Sequence, residues 1–112
     1  MRFSLFIQDS QAADAAVSSA LGFAQAAIAG GHSIRQMFFH GDGVRCAGVD
    51  LDGDADLRAL VSLAQTHEIP LLACSTWIEK LGVISTNDIR RGSLGQWCDA
   101  LDAADRLVSF RA

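Results

Sequence analysis

"SSALGFAQAAIAGGHSIRQMFF", Ser18–Phe39, changes hydrophobic period once, and that change decides the fold. Val17, Leu21, Ala24 and Ile28 recur at helical spacing and give one apolar stripe. The surrounding alanines widen it and allow close packing on a sheet. Gly30-Gly31 then stops the helix, because glycine accepts the left-handed conformation past a helix C-terminus. Ser33–Phe39 follows as a strand. A helix handed over to a strand this way is half of a βαβ unit, and its other half lies upstream. Arg2–Ile7 ("RFSLFI") is mostly apolar and reads as a buried strand, with Asp9 or Ser10 positioned to cap the helix between.

The pattern continues downstream. "HGDGVRCAGVDLDGDAD" reads as a Gly- and Asp-rich loop long enough to be functional. Asp54–Glu68 forms a second helix with Leu57, Leu60, Val61 and Ala64 on one face. Pro70–Cys74 is a third strand, Ser75 to about Leu81 a short helix closed by Gly82. "VISTNDIRRG" is a connector, with one short strand expected at its start. Ser93 to about Ala104 is the last helix, with Leu94, Trp97, Cys98 and Leu101 expected inward, and Arg106–Phe110 is the last strand. Strands alternating with helices imply an α/β, three-layer, flavodoxin-like or Rossmann-like domain with a mostly parallel sheet of about five strands. The 112 residues suit a single domain spanning 1–112.

The net charge of −4 offers no footprint for direct binding to nucleic acid or to an anionic membrane. No apolar run is long enough to span a bilayer, and the N-terminus lacks a signal-peptide pattern, so a cytoplasmic location is expected. Three cysteines at no metal-ligand spacing are expected to be thiols in a reducing compartment. Asp42, Asp50, Asp52, Asp54 and Asp56 lack the terminal Glu of a calcium loop; helix capping explains them more simply, and no metal is expected. There is no phosphate loop, no dinucleotide fingerprint and no nucleophile elbow.

In sheets of this kind, chemistry sits beyond the carboxyl ends of the strands. Three segments reach that rim: "QDSQ", "HGDG" and "CSTW". Cys74 closes the third strand and opens a helix, whose free N–H groups and partial positive charge favour a thiolate. Ser75 and Thr76 add hydroxyls beside it. The opposing reading is a core cysteine, since Cys74, Trp77, Ile78 and Leu81 share one helix face. Cys46, beside Arg45 in the Gly/Asp loop, is expected to be exposed and is a candidate second thiol. Cys98 is expected in the core. His40 ends the second strand at the rim and is a candidate base or thiolate partner. Asp42 lines the same rim. His32 and His67 are expected on the opposite edge of the sheet.

Taken in order, "MRFSLFI", "GFAQAAIAGGHSIRQMFFHGDGV", "LLACSTWIEKLGV" and "LDAADRLVSF" resemble the DsrE/TusD family of sulfur-relay proteins, nearly end to end. The resemblance implies a flavodoxin-like fold, assembly into homo- or hetero-oligomers such as trimers or hexamers, and a cysteine after the third strand that carries sulfane sulfur as a persulfide. That position matches Cys74. It implies sulfur donor and acceptor proteins as partners, no cofactor, and service in tRNA thiolation or in sulfur oxidation. The stretch between Gly82 and Gly92 is shorter than the TusD-type pattern. The alternatives are a non-catalytic scaffold or small-ligand-binding subunit, and a redox sensor pairing Cys74 with Cys46.

Overall fold

β1 (Arg2–Ile7) lies near the middle of a five-stranded sheet, between β2 (Ser33–Phe39) and β5 (Arg106–Phe110). β3 (Leu71–Cys74) and β4 (Arg90–Gly92) extend the sheet beyond β2, giving the order β4-β3-β2-β1-β5, and all four pairings are parallel. The computed structural model describes residues 1–8, 15–102 and 104–110. The expected cap at Asp9 or Ser10, and most of the "QDSQ" rim segment, lie outside them.

Parallel strands need crossovers, and these are right-handed. The chain steps from β1 to β4 in one direction, then returns past β1 to β5. That reversal puts helices on both faces. α1 (Ala15–Ala29) and α2 (Ala55–Thr66) pack together on one face. There they cover Leu5, Ile7, Met37, Phe39 and Ala73, all fully buried. α4 (Leu94–Asp102) lies on the other face, where Trp97 meets Phe6 and Phe38 with ring centroids 5.1 and 5.8 Å apart. α3 (Ser75–Leu81) follows β3 with no intervening residue.

Local chemistry sets the boundaries. Gly31 at φ +85° and Gly82 at φ +64° end α1 and α3 in the left-handed conformation. The Asp54 carboxylate accepts from the Leu57 N–H at 3.0 Å and caps α2. Ser93 and Gln96 cap α4 reciprocally: the Gln96 N–H donates to Ser93 Oγ, and the Ser93 N–H to Gln96 Oε1.

Three expectations change. First, the Gly/Asp-rich loop is ordered as two 3₁₀ helices, Gly41–Gly48 and Leu51–Gly53. The first packs so tightly on the end of β1 that a β-carbon at Gly43 would run into the Ile7 carbonyl. Val44, Cys46 and Ala47 are thereby fully buried. Cys46 is thus a core residue, not an exposed one. Second, the short strand is Arg90–Gly92, at the end of its connector and not at its start. Residues 83–87 instead cross the first 3₁₀ helix, where the Asn87 amide donates to the Cys46 and Val49 carbonyls at 2.7 and 3.0 Å. Third, Cys98 and Leu94 are exposed. α4 touches the sheet mainly through Trp97, so its stripe is narrower than its periodicity suggested.

Candidate functional site

The carboxyl edge of the sheet is built from the ends of β2, β3 and β4. Phe38 pairs with Leu72 and Phe39 with Ala73, while Cys74 pairs with Gly92. Cys74 is at once the last residue of β3 and the N-cap of α3, with φ −58° and ψ 117°. Its side chain makes no capping hydrogen bond, so the sulfur is not used up by the helix terminus. It is only 2% exposed. The thiol is therefore almost fully buried, at a helix start whose first backbone N–H groups lack intrahelical acceptors. Ser75 is half-buried and Thr76 exposed.

His40 follows β2 in extended conformation, φ −138° and ψ 155°. Its N–H donates to the Ile7 carbonyl at 2.9 Å, continuing the β1–β2 ladder by one residue. The imidazole is half-buried among rings: 5.2 Å from Phe6, 6.5 Å from Phe38 and 5.7 Å from Trp77. Burial holds its pKa below the ordinary histidine value of 6.5. Trp77 joins the two sides of this edge, since it lies on α3 three residues after Cys74. Lys80 Nζ sits 5.1 Å from its ring centroid.

The structure thus brings His40, Cys74 and Ser75 to one edge. Asp42 is exposed and paired with Arg45 at 3.3 Å. Arg45 is accordingly engaged by Asp42. Cys98 is exposed on α4. His32 and His67 line one small pocket with Ile28, Ser33, Ile34 and Ile69, at the other end of the sheet. Among the described residues no group of three or more His, Cys, Asp or Glu side chains could hold a metal ion. Asp50 and Asp54 cap helices.

Two contributors escaped the sequence. Trp77 reads there only as a core residue of α3, yet its ring walls the histidine. Asn87 gave no signal, because its partners are backbone carbonyls about forty residues away in sequence. A groove between the first 3₁₀ helix and the chain after α3 is lined by Arg45, Val49, Leu81, Val83 and Ile84, and Ile84 is 79% exposed.

Comparison with known proteins agrees with this architecture. The profile of the DsrE/DsrF-like family matches residues 1–110. The DsrE protein of Allochromatium vinosum is 30% identical, over 98% of each chain. A sulfurtransferase TusD homolog of Pseudomonas aeruginosa is 30% identical over 98% of this chain and 97% of its own. The sulfurtransferase TusD of an Enterobacter species is 28% identical, over 98% and 100%. These alignments run to 128 positions against a chain of 112 residues, so the relatives carry insertions relative to it. The crystal structure of the ychN protein from E. coli superposes with a TM-score of 0.79 at 16% identity, covering 98% of this chain and 99% of the other. That likeness is one of fold.

Proposed function

This chain belongs to the DsrE/DsrF-like family, and from that premise we propose that it is a sulfur-relay protein whose carrier is Cys74. As a thiolate, Cys74 attacks the outer sulfur of a donor persulfide. A new S–S bond forms on Cys74, the donor's S–S bond breaks, and the donor leaves as a thiol after taking up a proton. An acceptor thiol then removes the outer sulfur by the same exchange. Backbone N–H groups at Ser75 and Thr76 favour the anion. The exchange needs neither metal nor organic cofactor.

One observation carries this reading: a cysteine stands where β3 ends and α3 begins, in a chain similar over nearly its whole length to proteins named sulfurtransferases. Donor and acceptor proteins are the partners, in the cytoplasm, within a homo- or hetero-oligomer that serves tRNA thiolation or sulfur-oxidation trafficking. No helix of the described residues is long and apolar enough to cross a membrane.

The test is intact-mass spectrometry after incubation with a persulfide donor, followed by peptide mapping without reductant. Added sulfur on the Cys74 peptide, lost in a folded Cys74→Ser variant, is the expected result. The near-complete burial of Cys74 favours a second reading, a scaffold subunit in which this thiol only packs. No adduct on Cys74, while the same donor loads a known carrier alongside, would establish it.

A further inference from the structure

We propose that His40 and Cys74 form a proton-sharing pair, in which the imidazole takes the thiol proton before sulfur attack and returns a proton to the departing donor sulfur. This rests on Cys74 being the carrier, and it adds the group that activates it. The argument is one of register. Phe38 pairs with Leu72 and Phe39 with Ala73. His40 stays extended and keeps its ladder hydrogen bond to Ile7. The alternation of side chains therefore continues through it, and its ring lies with Phe6 and Phe38 on the face that carries α4. The same alternation along β3 sets Cys74 on the face of Leu72. His40 and Cys74 are thus consecutive with the last registered pair, on one face. Neighbouring strands run about 4.8 Å apart. The imidazole also reaches Trp77 at 5.7 Å, in the first turn of the helix that Cys74 caps.

The surroundings leave this role open. Among the described residues no hydrogen bond to the imidazole or to the Cys74 sulfur forms. The charged groups on the packed elements are occupied or turned outward: Asp42 and Arg45 pair with each other, Glu79 pairs with Arg91, Lys80 lies over Trp77, and Asp99 on α4 is exposed. β1 contributes the uncharged ring of Phe6. A ring kept neutral by burial is in the correct state to accept a proton near neutrality. The step balances: the proton leaving Cys74 rests on the imidazole, then moves to the donor thiolate as its S–S bond breaks.

The experiment follows ultraviolet thiolate absorbance against pH, as the difference between protein with Cys74 and the matching Cys74→Ser variant. His40→Phe keeps an aromatic ring against Phe6 and Trp77 but removes both nitrogens. His40→Gln provides the same readout if that ring packs poorly. Both are expected to move the Cys74 thiolate signal to higher pH, with roughly tenfold less thiolate at neutrality. A profile unchanged in both variants overturns the pair, and if Cys74 still takes up sulfur, the carrier reading survives alone. A shifted profile in a protein that never loads sulfur supports the pair and removes the carrier reading.

Discussion

Gly43 is the residue on which the seating of the first 3₁₀ helix against β1 depends. Its backbone meets the end of β1 where no β-carbon fits, so Gly43→Ala is expected to cost about 3 kcal/mol by urea denaturation. A loss below half that would mean the 3₁₀ segment shifts cheaply. His40 carries a pH dependence of its own. Burial lowers its pKa, so the folded state favours the neutral ring. Its stabilising contribution is present above the ordinary value of 6.5 and is lost as pH falls through the lower folded-state value. Denaturation midpoints across the acid range should show this slope in the wild type and a shallower one in His40→Phe. The place of Cys74 was legible, because a short apolar run ends on it and a helix begins. The burial of Cys46 was not: glycine and aspartate around it signal solvation, and only the contact between Gly43 and Ile7 reverses that. Cys98 misled in the opposite sense, since helical periodicity says which residues share a side but not how much of that side is covered.

At the scale of elements, the clasp made by Asn87 joins two connectors. Its amide holds the Cys46 and Val49 carbonyls, and its Oδ1 accepts from the Ile89 N–H at 3.0 Å. Asn87→Ala should destabilise the protein by about 1–2 kcal/mol and speed hydrogen exchange of the first 3₁₀ helix; unchanged exchange there would show the clasp to be incidental. The six helices and strands from β1 to α3, apart from the described start of α1, lie close to where periodicity and capping residues put them. β4 did not. Its three residues, Arg90–Gly92, have no period to read. Gly92 allows close approach: a β-carbon there would stand 3.0 Å from the Leu72 β-carbon. The edge at β5 has its own staple, Arg2 to Asp105, with hydrogen bonds from the Arg2 N–H at 2.8 Å and guanidinium at 3.2 Å. The Arg2 hydrogen bonds hold the Asp105 carboxyl below its usual range.

For the whole molecule, the alternation of strands and helices fixed the α/β class, and the strand order follows from which way the last crossover turns, which no local signal carries. The sheet face under α4 is thinly covered, and Leu107 of β5 remains 44% exposed. With Ile84 and Leu94 exposed as well, the surface offers apolar side chains for association. Native mass spectrometry is expected to give a species heavier than the 11.9 kDa protomer; a monomer at all concentrations would count against the oligomer.

β3 enters α3 without a single residue of slack. Cys74 is gripped on one side by a sheet and on the other by a helix, so a sulfur atom bound there stands on a fixed post and not on a swinging arm. In the proposed transfer, all of the reach falls to the visitors: a donor would have to bring its persulfide in, and an acceptor would have to carry a thiol on a segment thin enough to follow it.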